Sequence, residues 1–198
     1  MQQNKKLPSY LVGGAILLVL IIWMVTSYNS LVKKQENVKL KWSEVQNTYQ
    51  RRLDLIPNLV NTVKGVSDFE QTTLQKIAEA RSKALAGLSN DEITADNYQK
   101  QQQLQDSLAV AANRMIVVIE KYPTLKGTAA YAGLQTQLEG TERRIRVARN
   151  DFNEAVAGYN RTVRGFPTNV LAGIFGFKKK EGFEAVAGAD KNVVITFK

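Results

Sequence analysis

Apolar positions along this chain follow two different patterns. From Leu11 to Val25 every residue is apolar or glycine. From Leu31 onward apolar residues recur three and four apart, the period of one helical face; strands would need alternation instead. One seam runs through Leu31, Val38, Trp42, Val45, Tyr49, Ile56, Leu59, Val63 and Val66. Gly65 followed by Ser67-Asp68 offers a break and a new cap. A second helix carries Leu74, Ile77, Arg81, Leu85 and Leu88 on one face, and Ser89 to Glu92 has capping-box spacing. A third shows Leu104, Leu108, Ala111, Met115, Val118 and Tyr122, and stops at Pro123. The fourth has the cleanest seam, Tyr131, Leu134, Leu138, Thr141, Ile145, Ala148, Phe152, Ala155 and Tyr159, and ends at Gly165-Phe166-Pro167.

Short connections between amphipathic helices make antiparallel neighbours, so the expected fold is all-α: an N-terminal transmembrane helix, an up-down four-helix bundle and a short tail. The expected divisions are a basic N-terminus (1–9), the span (10–28), the bundle (29–167) and a Gly/Phe-rich tail (168–198). In the tail, Thr168 is placed to cap a short helix through Phe175, and Val193 to Phe197 is β-prone. The tail either packs on the bundle or docks on a partner or a neighbouring copy.

The apolar run reads as a membrane anchor. Tyr10 to Tyr28 covers 19 residues, a helix of about 28 Å, close to the hydrocarbon thickness of a bilayer. Lys5 and Lys6 precede it, Pro8 is placed to begin it, and Tyr10, Trp23 and Tyr28 occupy interfacial positions. A cleaved signal peptide shares the basic start and apolar core. The stretch from Trp23 to Asn29 lacks a cleavage site of small residues, which favours a retained anchor. Lys33, Lys34, Lys39 and Lys41 after the span, against Lys5 and Lys6 before it, lean towards a cytoplasmic C-terminal domain, although long domains are exported despite such charges.

Composition narrows the chemistry. The 198 residues contain no cysteine and no histidine. Disulfides, thiolate metal sites, a cysteine nucleophile and the usual general base are therefore absent. The Glu-x-x-His pattern of carboxylate-bridged metal bundles cannot occur either. Glu139 and Glu142 stand next to Arg143, Arg144 and Arg146, a field that opposes a cation. No metal, cofactor or small-molecule substrate is expected, and no catalytic residue is named. Net charge is +9, from 27 Lys+Arg against 18 Asp+Glu. The arginines of the fourth helix spread around it between acids, with no nucleic-acid motif. Lys178, Lys179 and Lys180 should return to the base of the bundle and form, with Lys33, Lys34, Lys39 and Lys41, a basic collar beside membrane lipid.

The segment Arg51-Arg52-Leu53-Asp54-Leu55-Ile56-Pro57-Asn58-Leu59 breaks the seam pattern. Pro57 lies inside a helix, where it costs about 3 kcal/mol and introduces a kink. Arg52 occupies a seam position, as does Arg81 on the second helix. Glu142 lies beside Thr141, and its strip continues through Arg149, Asn153 and Asn160. Counting 14 residues down from the far end of each helix brings Arg52, Arg81 and Glu142 to one level, roughly 21 Å from that end. The expectation is a buried charged layer that fixes register, with a pocket for an anionic ligand as the alternative.

Several of these motifs resemble the LemA family. They are Tyr28-Asn29-Ser30-Leu31-Val32, Trp42 with Glu44-Val45-Gln46, the Arg51 to Val60 segment, Val63-Lys64-Gly65 and Glu70. Further along stand Ala80-Arg81, Tyr122-Pro123-x-Leu125-Lys126, Leu138-Glu139-x-Thr141-Glu142-x-Arg144-Ile145, Ala148-Arg149-x-x-Phe152-Asn153, Tyr159-Asn160 and Phe166-Pro167. Phe69-Glu70 departs from the family, which often has His before that Glu. The resemblance implies a single-pass bacterial inner-membrane protein with an all-helical bundle and no established catalysis, cofactor or substrate. Together the readings lead to a non-enzymatic scaffold or interaction module acting through a homo-oligomer or protein partner. The alternative is a sensor of an anionic ligand or lipid.

Overall fold

A computed structural model describes residues 6–64, 69–88 and 94–183. Helix α1 (Lys6–Val63) is a single helix of 58 residues, about 87 Å long. The span and the first bundle helix are thus one element. Its helical path continues through Pro57, which lies on the exposed face. The apolar part, including Leu11, Leu17, Leu20 and Val25, is exposed to the surroundings, as a lipid-facing helix requires.

Helix α2 (Gln71–Leu88) runs back along α1, α3 (Ala95–Ile119) runs outward again, and α5 (Ala129–Arg164) returns towards the membrane end. A one-turn α4 (Pro123–Lys126) joins α3 to α5, and α6 (Thr168–Ile174) follows α5. No strand occurs among the described residues. Thr94 caps α3 by accepting from the Asn97 N–H, and Thr128 caps α5 by accepting from Tyr131. The expected capping box at Ser89–Glu92 lies outside the described residues, as do the break at 65–68 and the β-prone 193–197.

The seam of α1 is buried from Leu31 to Val63, and that of α5 from Tyr131 to Val163. Each of the larger side chains contributes about 1.5–3 kcal/mol by leaving water. On α2 the buried residues are Thr73, Ile77 and Ala84, and Leu85 stays outside. At Gly87, near the end of α2, a Cβ would come within 2.6 Å of the Leu104 side chain of α3.

Four helices surround only the membrane-distal half of the core. There Leu53, Ile56, Leu59, Ile77, Leu108, Met115 and Leu138 form one cluster. Helix α2 is too short to reach further. In the membrane-proximal half, Trp42, Tyr49, Phe152 and Tyr159 form a second cluster, which Tyr98 joins from the start of α3. The remaining wall is supplied by the tail, through Ala172, Phe177 and Phe183. Thr168 is the first residue of α6 and not its cap. The chain reverses after α6 at Gly176, whose φ of 74° suits glycine. The N–H groups of Gly176 and Phe177 bond to the carbonyls of Gly173 and Ala172, closing the α6 terminus.

Candidate functional site

Arg52 is only 2% exposed. Its Nη2 lies 2.5 Å from Glu142 Oε1, and its Nη1 donates to the carbonyl of Gln105 at 2.9 Å and to Gln105 Oε1 at 3.3 Å. Burial pulls the guanidinium below its ordinary pKa, and the charge of Glu142 partly restores it. The Glu142 side chain is 45% exposed, so this is a buried cation reaching a half-exposed anion. The expected fully buried layer is corrected on that point. Arg81 stands at the same height but takes no part in the pair. Its Nε donates to the carbonyl of Leu53 at 3.1 Å. Leu53 precedes Pro57 by four residues, and proline has no N–H to offer that carbonyl.

Sequence reading missed the polar stripe of α3. Asn97, Gln101 and Gln105 are buried. They continue the phase of Leu108, Ala112 and Met115 backwards in steps of three and four, and that phase was the available signal.

The strip on α5 beyond Glu142 forms a second constellation. Arg149 donates Nε to the Tyr49 hydroxyl at 2.9 Å and Nη2 to Asp106 at 3.1 Å. Its guanidinium lies over the rings of Tyr49 and Phe183. Burial pushes the Tyr49 phenol up, with the Arg149 charge opposing, so Tyr49 remains a neutral acceptor.

Next along the strip, Asn153 and Asn160 hold the returning tail by its peptide groups. Asn160 donates Nδ2 to the Lys180 carbonyl at 2.7 Å and accepts the Lys180 N–H at 2.9 Å. Asn153 donates to the Phe183 carbonyl at 3.1 Å and accepts the Phe183 N–H at 2.8 Å. The Tyr159 hydroxyl adds a bond to the Lys178 carbonyl at 3.0 Å.

The spacing explains the match. Seven helical residues advance about 10.5 Å, and three extended residues cover about 10 Å. Residues 180–183 therefore run nearly extended, antiparallel to α5. Gly182 is tied to this arrangement, because a Cβ there would sit 2.6 Å from Asn153 Oδ1. Beyond Phe183 the same face opens into a groove of about 450 Å3, lined by Arg52, Gln102, Asp106, Glu142, Arg146 and Arg149.

The lysines divide. Lys34 is bonded into the α1–α5 seam, through Thr162 Oγ1 at 2.6 Å. Lys39 pairs with Glu36, and Lys41 with Glu44 and Asp151. Lys180 is half-buried over the Tyr159 ring, and burial lowers its pKa. Lys33, Lys178 and Lys179 are exposed. Among the described residues, no cluster of three or more carboxylates is placed to hold a metal ion.

Fold and site together define a membrane-associated helical-bundle protein with one long, apolar N-terminal helix. The sequence profile of the LemA family matches residues 41–197, and the chain belongs to that family. It is 26% identical to magnetosome protein MamQ 1 of Paramagnetospirillum magneticum, over 88% of this chain and 71% of the relative. It is 24% identical to magnetosome protein MamQ of Magnetospirillum gryphiswaldense, over 90% and 72%. Protein LemA of Metamycoplasma hominis is 27% identical over 73% of this chain and 63% of its own length.

Proposed function

We propose that this protein is a membrane-anchored, non-enzymatic scaffold that works through self-association, with the segment 177–183 as the exchanged element. The observation that carries this reading is the double clamp of Asn153 and Asn160 on the peptide groups of Phe183 and Lys180. Both asparagines satisfy donor and acceptor of one residue, as a neighbouring strand does in strand addition. The same bonds form whether the segment belongs to its own bundle or to a neighbour's. Anchoring in one bilayer holds copies side by side and raises their effective concentration. None of the three relatives is named for an enzymatic activity.

The absence of cysteine makes the test direct. Gln35 and Lys179 line one groove. Two tagged copies, one Gln35→Cys and one Lys179→Cys, are co-reconstituted and treated with a bismaleimide. A cross-link between copies that disappears with Asn160→Ala supports exchange. Cross-linking confined to the double variant, within single chains, defeats it.

One observation favours the sensor reading as a second possibility. Arg52 Nε and Gln105 Nε2 are buried donors with no acceptor among the described residues, and Arg52 lines the groove beside Arg146 and Arg149. An anion seated there would raise the melting temperature of the wild type and not that of Arg149→Met.

A further inference from the structure

We propose that α6 and its flanking residues are a second membrane contact, seated in the interfacial layer of the bilayer that α1 enters. Tyr28 lies three residues beyond Val25, the last residue of the apolar run, or about 4.5 Å along the axis. Phe175 packs edge-on against Tyr28 with ring centroids 5.0 Å apart, which fixes α6 at the height where the span leaves the hydrocarbon. One face of α6 is used by the bundle, through Leu171 and Ala172.

Among the described residues, nothing packs on the other face. Phe166 is 86% exposed, Val170 56% and Ile174 70%. Val170 and Ile174 are four apart and share a face, with Phe166 four residues before them. Large apolar side chains grouped at one height and open to water mark a contact surface. The bilayer is the occupant favoured here because the exposed apolar surface of α1 meets the patch at Tyr28. Charge agrees with that assignment. Arg161 and Arg164 in the last turn of α5, and Lys178 and Lys179 after the reversal, flank α6 along the chain, are exposed and complement anionic headgroups. Apolar side chains inserted at the headgroup boundary beneath a basic rim are the arrangement of interfacial segments. A helix this short needs help to stay there, and the covalent tie to α1 supplies it. Two contacts would fix the inclination of the bundle over the membrane, which a single helical stalk leaves free.

The test uses the full chain, which is naturally free of cysteine. Val170→Cys and Ile174→Cys are spin-labelled, with Leu18→Cys as the bilayer reference. Val147→Cys is the water reference, because Val147 is exposed on α5 far above Tyr28. The protein is reconstituted in phosphatidylcholine vesicles with and without phosphatidylglycerol. The expected result is a gain of collisions with oxygen and a loss of collisions with a nickel chelate at 170 and 174, relative to 147, in both lipids. Labels as accessible to nickel as that at 147 overturn the proposal. Labels that lose collisions with both reagents and broaden by dipolar coupling also overturn it, because a second copy then covers the face. A larger change with phosphatidylglycerol than without it supports the part given to the basic rim.

Discussion

The Nε of Arg81 lies 3.1 Å from the carbonyl of Leu53, the acceptor that Pro57 deprives of its helical donor. A proline inside a helix removes the bond to the residue four before it. Here α2 replaces the missing donor from outside. The proline and the arginine, remote in sequence, are one structural unit.

That relation predicts a coupling. Arg81→Met keeps the aliphatic stem and removes the donor, which strands a buried carbonyl and costs about 1–3 kcal/mol. Pro57→Ala restores an N–H to the same carbonyl. In the Pro57→Ala background Arg81→Met should cost markedly less. Urea denaturation of the four species completes a double-mutant cycle, and strict additivity would reject the replacement role.

The Arg52–Glu142 pair should respond asymmetrically. Glu142→Ala leaves a guanidinium 2% exposed, with Gln105 as its hydrogen-bond partner among the described residues, and costs about 1–3 kcal/mol, less than for a fully buried pair because Glu142 is half in water. The double variant Arg52→Met with Gln105→Met removes the buried polar groups and should be the milder change. Thermal melts in the opposite order would show that the charge itself holds the core.

The clamp on the tail is open to proteolysis. Asn153→Ala with Asn160→Ala removes four hydrogen bonds to backbone groups, each worth about 1 kcal/mol. The free segment should become at least about tenfold more populated. Trypsin should then cut at Lys178, Lys179 and Lys180 correspondingly faster, while circular dichroism reports an unchanged helix content. Unaltered cleavage would mean that the phenylalanines alone hold the tail.

Gly182→Ala tests the same contact from the tail side. The added Cβ meets Asn153 Oδ1 at 2.6 Å, so either the segment or the Asn153 amide must shift, and each breaks the clamp at this residue. Tryptic cleavage should rise as it does for Asn153→Ala, and the two changes together should add little. Full additivity would place Gly182 outside the clamp.

The helices were legible because their seams are periodic and bordered by Gly, Pro and Thr signals. The height shared by Arg52, Arg81 and Glu142 was legible too, since a helix advances a fixed distance per residue. What each group does at that height was not. Arg52 and Arg81 have identical side chains on the same kind of seam, yet one meets a carboxylate and the other a carbonyl.

The sequence by itself determined the helix count of the bundle, its long apolar N-terminal helix and its family. Hydrophobic period and length carry that information locally. Only the tertiary structure decided that α1 is continuous from membrane to tip, that α2 is too short to complete the lower core, and that the tail fills the gap. Those facts depend on which surfaces are left uncovered after packing. Asn153 and Asn160 look like any solvated polar strip until a peptide lies against them, because side-chain pattern records what a residue can bond and not what arrives beside it.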